Sequence, residues 1–209
     1  AKIAVKHPDA RAVALFLKEA TGLGLAPPPG LSGFAGARPR PSPVMALFSF
    51  PTPKSDVEIV IEDATGARRA SVETAAAPSK APHRPAPPDQ PDLSGEVIDV
   101  PLIDLAWARS GDKGDIANIG VIARHETLMP FIWHALSDDH LRRVFDHFLK
   151  GRIERFYLPG SQSMNILLHD ALGGGGTSSL RNDPQAKGYA QLLLAAPIPV
   201  DRQIWKGLR

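Results

Sequence analysis

The sequence predicts an α+β protein, and three observations predict it. Residues 96–108 and 116–124 are apolar runs of strand length on either side of a charged joint. Residues 136–151, LSDDHLRRVFDHFLKG, place Leu141, Val144, Phe145, Phe148 and Leu149 on one side of a helix. The 209-residue chain is 43% hydrophobic and 22% charged, which supplies enough apolar surface for one good core or two modest ones.

The elements follow in chain order. Residues 8–20, PDARAVALFLKEA, set Ala12, Leu15, Phe16 and Glu19 at helical spacing after Pro8, a first-turn proline. Residues 21–44 are so dense in glycine and proline that regular structure cannot persist there. Two strands are expected next, VMALFSF (44–50) and VEIVIED (57–63), the second alternating Val57, Ile59 and Ile61 against Glu58, Val60 and Glu62. DATGARR supplies a turn and ASVE (70–73) a return strand. Six of the fourteen residues from Pro78 to Pro91 are proline, which makes a stiff extended spacer and a domain boundary.

Beyond the spacer, EVIDVPLIDLAWA (96–108) and IANIGVIAR (116–124) read as strands flanking a charged loop. The 136–151 helix starts at Ser137, with Asp138 and Asp139 in its first turn, and stops at Gly151. RIERFYLPG reads as a strand, SMNILLHDAL (163–172) as a second helix, GGGGTSSLR (173–181) as a glycine loop leading into a short strand, and PQAKGYAQLLLAA as a final helix entered through Pro184. This order suits a ferredoxin-like module, a mixed or antiparallel sheet with helices on one face. The expected domains are 1–77, a proline-rich linker at 78–95, and a module at 96–209.

Charge and composition exclude several functions. Lys and Arg total 24 against 22 Asp and Glu, an excess too small for a phosphate-neutralising stripe, so nucleic acid is not an expected partner. No apolar run reaches the ~18 residues of a spanning helix, and no leader pattern opens the chain. A cytoplasmic protein without a membrane partner is expected. With no cysteine there is no disulfide, thiolate nucleophile or Cys-ligated metal, and the histidine and carboxylate spacings match no metal site.

The charged joint W-A-R-S-G-D-K-G-D-I-A-N-I-G (107–120) admits three readings. Ser110 and Lys113 fit the S-x-x-K spacing of acyl-transfer enzymes, although Gly111 and Gly114 oppose the helix that spacing requires. Alternatively, the glycines let N–H groups converge on a carboxylate or phosphate, with Arg109 and Lys113 adding charge, Ser110 a donor, and Asp112 and Asp115 orienting the cations. In the third reading the same charges pair among themselves and only stiffen a turn. Gly173 to Gly176 with Thr177, Ser178 and Ser179 form a second donor-rich loop that is neither a P-loop nor a dinucleotide fingerprint. Asp183 ahead of Pro184 reads as a helix cap. Of the histidines, His134, His140 and His147 lack metal-pair spacing, whereas His169, just before the glycines, is placed to act as a general base, with Asn165 at i, i+4 on the same expected helix.

WARSGDKGDIANIGVIAR, ERFYLPGSQSMNILLHDALGGGGTSSLRNDPQAKG and the earlier GLSGFAGARPRPSPV…FSF together resemble the acyclic terpene utilisation (AtuA-like) family. The first two resemble its C-terminal ferredoxin-like module, the third the tail of its larger N-terminal domain. Arg109, Ser110, Gly111, Asp112, Lys113, Gly114, Asp115 and Asn118 fall on the shared motif, as do Gly174, Gly175, Ser179, Leu180, Asp183 and Lys187. Two positions depart from it: Ala186 stands where glycine commonly precedes the lysine, and Asn182 replaces an apolar residue. The resemblance implies degradation of branched, terpenoid-type acyl-CoA compounds by a larger enzyme of which this chain is a C-terminal portion, a small subunit or a cleaved product.

The expected function is therefore a component acting on a carboxylate or acyl-CoA substrate by a lyase or hydratase step, in a homo- or hetero-oligomer with a larger AtuA-like N-terminal chain or domain. Lys113, Asp112, Asp115 and His169 are the expected catalytic groups. Arg109, Ser110, Gly111, Gly114 and Asn118 are expected to bind substrate, with Gly174, Gly175, Ser179 and Arg181 as the opposite wall. No cofactor is required by the sequence, and a CoA thioester is a candidate substrate. The alternative is a non-catalytic assembly module whose motif fixes an interface.

Overall fold

The structure is a computed structural model and describes residues 2–20, 22, 39–48, 50–70 and 83–209. It divides into two units, Ala1–Ala46 with Pro85–Arg209, and Leu47–Arg84.

In the first unit α1 spans Ala10–Ala20. Its start is fixed by Asp9, whose carboxylate accepts from the Arg11 N–H at 2.8 Å and whose carbonyl accepts from Ala12 N at 3.1 Å. After the spacer, β3 (Val97–Pro101) leads into a single turn, α2 (Leu102–Leu105), and then β4 (Ala106–Lys113) and β5 (Ile116–Ala123). The helices α3 (Met129–Ala135) and α4 (Asp138–Val144) precede β6 (Ile153–Leu158) and β7 (Ser163–Leu168). The unit closes with α5 (Tyr189–Leu194), β8 (Pro197–Asp201) and α6 (Arg202–Gly207).

Strands β4, β5, β7 and β6 form, in that order, one antiparallel sheet, while β3 and β8 pair as a separate two-stranded ribbon. Helix α5 packs on β4 and β5, and α3 against β8. Beneath them Ala117, Ile119 and Val121 of β5 and Met164, Ile166 and Leu168 of β7 are buried. Tyr189 lies between Phe145 and Phe148, with ring centroids at 5.5 and 5.0 Å. The α+β class and the antiparallel sheet with helices on one face are as the sequence predicts. No helix among the described residues is long and apolar enough to cross a membrane.

Several element assignments are corrected. The expected strand 96–108 breaks at Pro101, which has no N–H to extend the ladder; Leu102 and Leu105, three apart, turn inward as one buried helical turn. The charged loop between the strands is itself strand: pairing continues through Ser110↔Ile119, Gly111↔Asn118, Asp112↔Ala117 and Lys113↔Ile116, leaving only Gly114 and Asp115 as the bend. Gly114 has φ +64°, the requirement of the first residue in a two-residue II′ hairpin. Residues 163–172 are not a helix. Met164, Ile166 and Leu168 alternate inward from β7, which is paired on both sides, and a ladder on each edge satisfies the backbone as a helix would have done.

Helix α4 begins at the expected Ser137, whose hydroxyl accepts from His140 N, but ends at Val144; tight turns carry Phe145 and Leu149 into the core. The helix expected from Pro184 begins only at Tyr189, because Ala186 adopts φ +54° and interrupts it, and it is not the final one, since α6 follows β8. No strand forms within 173–181, where all four glycines have positive φ.

In the second unit β1 (Ile59–Asp63) and β2 (Gly66–Ala70) form a hairpin around Ala64 and Thr65. The return strand thus lies at 66–70, earlier than expected, and 71–73 fall outside the described residues. The expected strand 44–50 has no ladder partner at its described positions, 44–48 and 50. Most of the glycine- and proline-dense stretch (23–38) and the first part of the spacer (78–82) are likewise outside the description; residues 83–91 carry neither helix nor strand.

Candidate functional site

Strand alternation divides the charged motif between two faces of the sheet. Even-numbered residues of β4 point toward the helices. Ser110 is buried there; its hydroxyl donates to the Ala186 carbonyl at 2.6 Å and accepts from Ala190 N at 2.9 Å, so it ties α5 to the sheet. Asp112 is half-buried on the same side. Odd-numbered Arg109, Gly111 and Lys113 point to the opposite face, which no described element of the first unit covers, and the Lys113 ammonium donates to the Asp112 carbonyl at 3.1 Å.

The hairpin bend and the glycine run meet. Asp115 accepts from Leu172 N at 2.9 Å through its carboxylate and from Ala171 N at 3.1 Å through its carbonyl. Gly175 lies directly on Gly114, where any Cβ would overlap the Gly114 carbonyl. The run is further knotted by Ser178, whose hydroxyl donates to the Gly174 carbonyl at 2.7 Å, and by Ser179, which accepts from Arg181 N at 3.1 Å.

Arg181 turns inward. Its guanidinium donates to the Ala171 and Phe148 carbonyls and to the Tyr189 hydroxyl. Burial holds the Tyr189 phenol above its ordinary value, so it stays protonated and donates to the Ala171 carbonyl at 2.9 Å. Asp183 does not cap a helix, since none starts at Pro184; its carboxylate instead closes the turn before α5, accepting from Lys187 N at 2.9 Å and Gly188 N at 2.7 Å.

The uncovered face is where reactive side chains remain open. In register across it stand Arg109, Gly120, Asn165 and Phe156 in one row, and Gly111, Asn118, Leu167 and Glu154 in the next. Asn118 Nδ2 donates to Asn165 Oδ1 at 2.9 Å, which leaves the Asn165 Nδ2 hydrogens and the Asn118 oxygen available to a ligand. His169 shares the face because it continues the odd-numbered side of β7; its Nε2 lies 2.7 Å from Glu154 Oε1. Arg152 holds the same oxygen at 3.0 Å. With Nε2–H donating to Glu154, His169 Nδ1 carries the lone pair of a base.

Beside Asn165 runs a trough of about 490 Å³ lined also by Gly120, Ile122, Phe156, Leu158 and Leu167. Gly120 makes its floor: a Cβ there would find only the Arg109 carbonyl, 4.0 Å away. Three cations, Arg109, Lys113 and Arg152, against one carboxylate, Glu154, leave the face net positive. Among the described residues no three His, Asp or Glu side chains converge as a metal site requires.

Of the expected site residues, the sheet therefore gathers Arg109, Gly111, Lys113, Asn118 and His169 on one face. Gly114, Asp115, Gly174, Gly175 and Ser179 build the bend, and Ser110 and Arg181 serve the interior. Glu154 and Gly120 escape sequence reading: the first becomes meaningful only through the β6–β7 register, the second only through what faces it across two ladders.

Residues 100–199 match the AtuA ferredoxin-like domain. The match runs from within β3 to within β8 and includes both the 107–120 motif and the glycine run. No curated protein and no solved structure matched the chain.

Proposed function

We propose, from the match of residues 100–199 to the AtuA ferredoxin-like domain, that the chain supplies one wall of an enzyme site for a carboxylate or acyl-CoA substrate, completed by a larger AtuA-type N-terminal domain or subunit docked over the open sheet face. The observation that carries the reading is the grouping on one face of an anion anchor, Arg109, a donor amide, Asn165, and a carboxylate-oriented imidazole, His169 with Glu154 at 2.7 Å.

Each group has a task. Arg109 and Lys113 hold the phosphate or carboxylate of the substrate by charge-assisted hydrogen bonds. The Asn165 Nδ2 hydrogens donate to the thioester carbonyl, where negative charge accumulates when a neighbouring carbon loses a proton. His169 Nδ1 takes that proton, and the imidazolium formed is stabilised by Glu154. Returned to a leaving hydroxyl, the proton completes a dehydration; the reverse sequence is a hydration. A branched apolar chain fits the trough over Gly120, walled by Ile122, Phe156 and Leu158.

Titration of the purified chain with a branched acyl-CoA thioester tests the reading. Binding is expected, weakened about tenfold, which is about 1.4 kcal/mol, by Arg109→Ala, and weakened also by Gly120→Ala, whose Cβ rises from the trough floor with no atom nearer than 4.0 Å. Unchanged affinity in both variants overturns it. A second reading, a non-catalytic assembly module, is favoured by the exposed Trp107, Ile122 and Leu158 on the same face, at 54%, 48% and 46%. His169→Ala separates the two: turnover is lost with the complex intact in native mass spectrometry under the first reading, and is retained under the second.

A further inference from the structure

Among its described residues the second unit shows no interior. Every described residue of 47–70 is exposed except Ala70, which is half-buried. Leu47, Phe48 and Phe50 are 80%, 83% and 71% exposed, and Val57, Ile59, Val60 and Ile61 are all exposed large apolar side chains. A two-stranded hairpin without a covering layer is not independently stable in water.

The register shows which face lacks its layer. Ile59 lies opposite Ala70 and Ile61 opposite Arg68, so Ile59, Ile61 and Ala70 share one face, with Val57 continuing it. The other face holds Val60 and Glu62, opposite Arg69 and Ala67, and the Glu58–Arg69 ion pair at 2.5 Å. The first face is the more apolar, interrupted by Arg68, while the second mixes Val60 and Ala67 with three charged side chains.

Charge says what covers it. Residues 56–63 carry four carboxylates, Asp56, Glu58, Glu62 and Asp63, whereas β2 carries Arg68 and Arg69. A two-fold pairing of β1 with its copy around Val60 sets Glu58 against Glu62, and a pairing of β2 with its copy sets Arg68 against Arg68 or Arg69. Both oppose like charges across a ladder. Pairing β1 with the β2 of another copy matches charge but propagates without closing. A second copy is therefore a poor occupant.

We propose that Lys54–Ala70 is a strand-addition element: the outer edge of β1 receives the edge strand of a different protein surface, one bearing lysine or arginine opposite Glu58 and Glu62, with an apolar layer over Val57, Ile59 and Ile61. The inference is independent of the substrate reading, because none of its residues belongs to the matched domain.

Hydrogen exchange on the full chain tests it with two synthetic seven-residue strands, one alternating lysine with valine and one alternating glutamate with valine. Alone, the Ile59–Asp63 amides exchange far faster than those of β5. The basic strand slows them at least tenfold and the acidic strand does not. Glu62→Lys, which keeps the Glu58–Arg69 pair, removes the preference, and Glu62→Gln, the milder variant, narrows it. Slow exchange without any added strand, equal protection by both strands, a preference unmoved by either variant, or protection that grows with protein concentration alongside a dimer mass overturns the proposal.

Discussion

On the covered face of the sheet Ile119 and Val121 meet Met164 and Ile166 in a dry layer, whereas on the open face the residues between them are Asn118 and Gly120 opposite Leu167 and Asn165. The two sets come from the same strands, one residue out of step. Packing chooses volume on the first face; on the second, a missing side chain at Gly120 and unspent amide hydrogens at Asn165 leave room and polarity for something else. A run of eight residues such as A-R-S-G-D-K-G-D therefore encodes two sites interleaved, a structural one through Ser110 and a solvent-facing one through Arg109 and Lys113.

That contrast breaks most visibly where volume is removed. Ile166→Ala is expected to cost about 2–5 kcal/mol in chemical denaturation, and Leu167→Ala, its half-buried neighbour on the open face, less than half as much. Equal losses would mean that the open face is packed after all. Next in size is the pair on β4. Ser110→Ala strands the buried Ala190 N–H and Ala186 carbonyl and is expected to cost about 1–3 kcal/mol, while Lys113→Ala, on the exposed side, changes stability by less than about 0.5 kcal/mol.

The opposite sign is expected at Ala186, whose φ of +54° suits glycine better than alanine. Ala186→Gly should stabilise by about 1 kcal/mol, read as a raised melting temperature. That substitution restores the residue the family resemblance leads one to expect, and the backbone angle supplies its physical reason.

The smallest effect is a pH dependence from the covered side. His140 Nε2 is buried without a hydrogen-bond partner, and burial, with the Arg143 charge nearby, holds its pKa below the ordinary 6.5. The folded state thus prefers the neutral ring and the unfolded state takes up the proton first, so this contribution is complete above about pH 6.5 and declines as the pH falls below it. His140→Leu should flatten the fall in denaturation midpoint between about pH 7 and 5; an unchanged slope assigns it to other groups.

Sequence reading recovered what rests on local pattern. The α4 start at Ser137, the α1 start near Pro8 and the strand at β1 all follow from signals within a few residues, whereas Asp183, expected to cap a helix at Pro184, closes a turn ahead of α5. It missed what depends on partners far along the chain. ILLHDAL contains apolar residues at both strand and helix spacings, and only pairing with β5 on one side and β6 on the other decides for strand. The same holds for the site. Arg109, Asn118 and His169 are visible as residue types, but that they share a face, and that Ser110 and Arg181 do not, follows from a register no single sequence displays.

The β3–β8 ribbon pairs Val97 with Asp201 and Pro101 with Pro197, so the chain enters and leaves the domain side by side. A fold whose doorway and exit coincide behaves as a cassette: it can be spliced into a host at a surface loop, or reopened elsewhere with its old ends fused, while the strands inside keep their neighbours. A shuffled version cut at the tip near Gly160 and joined across the ribbon should still fold.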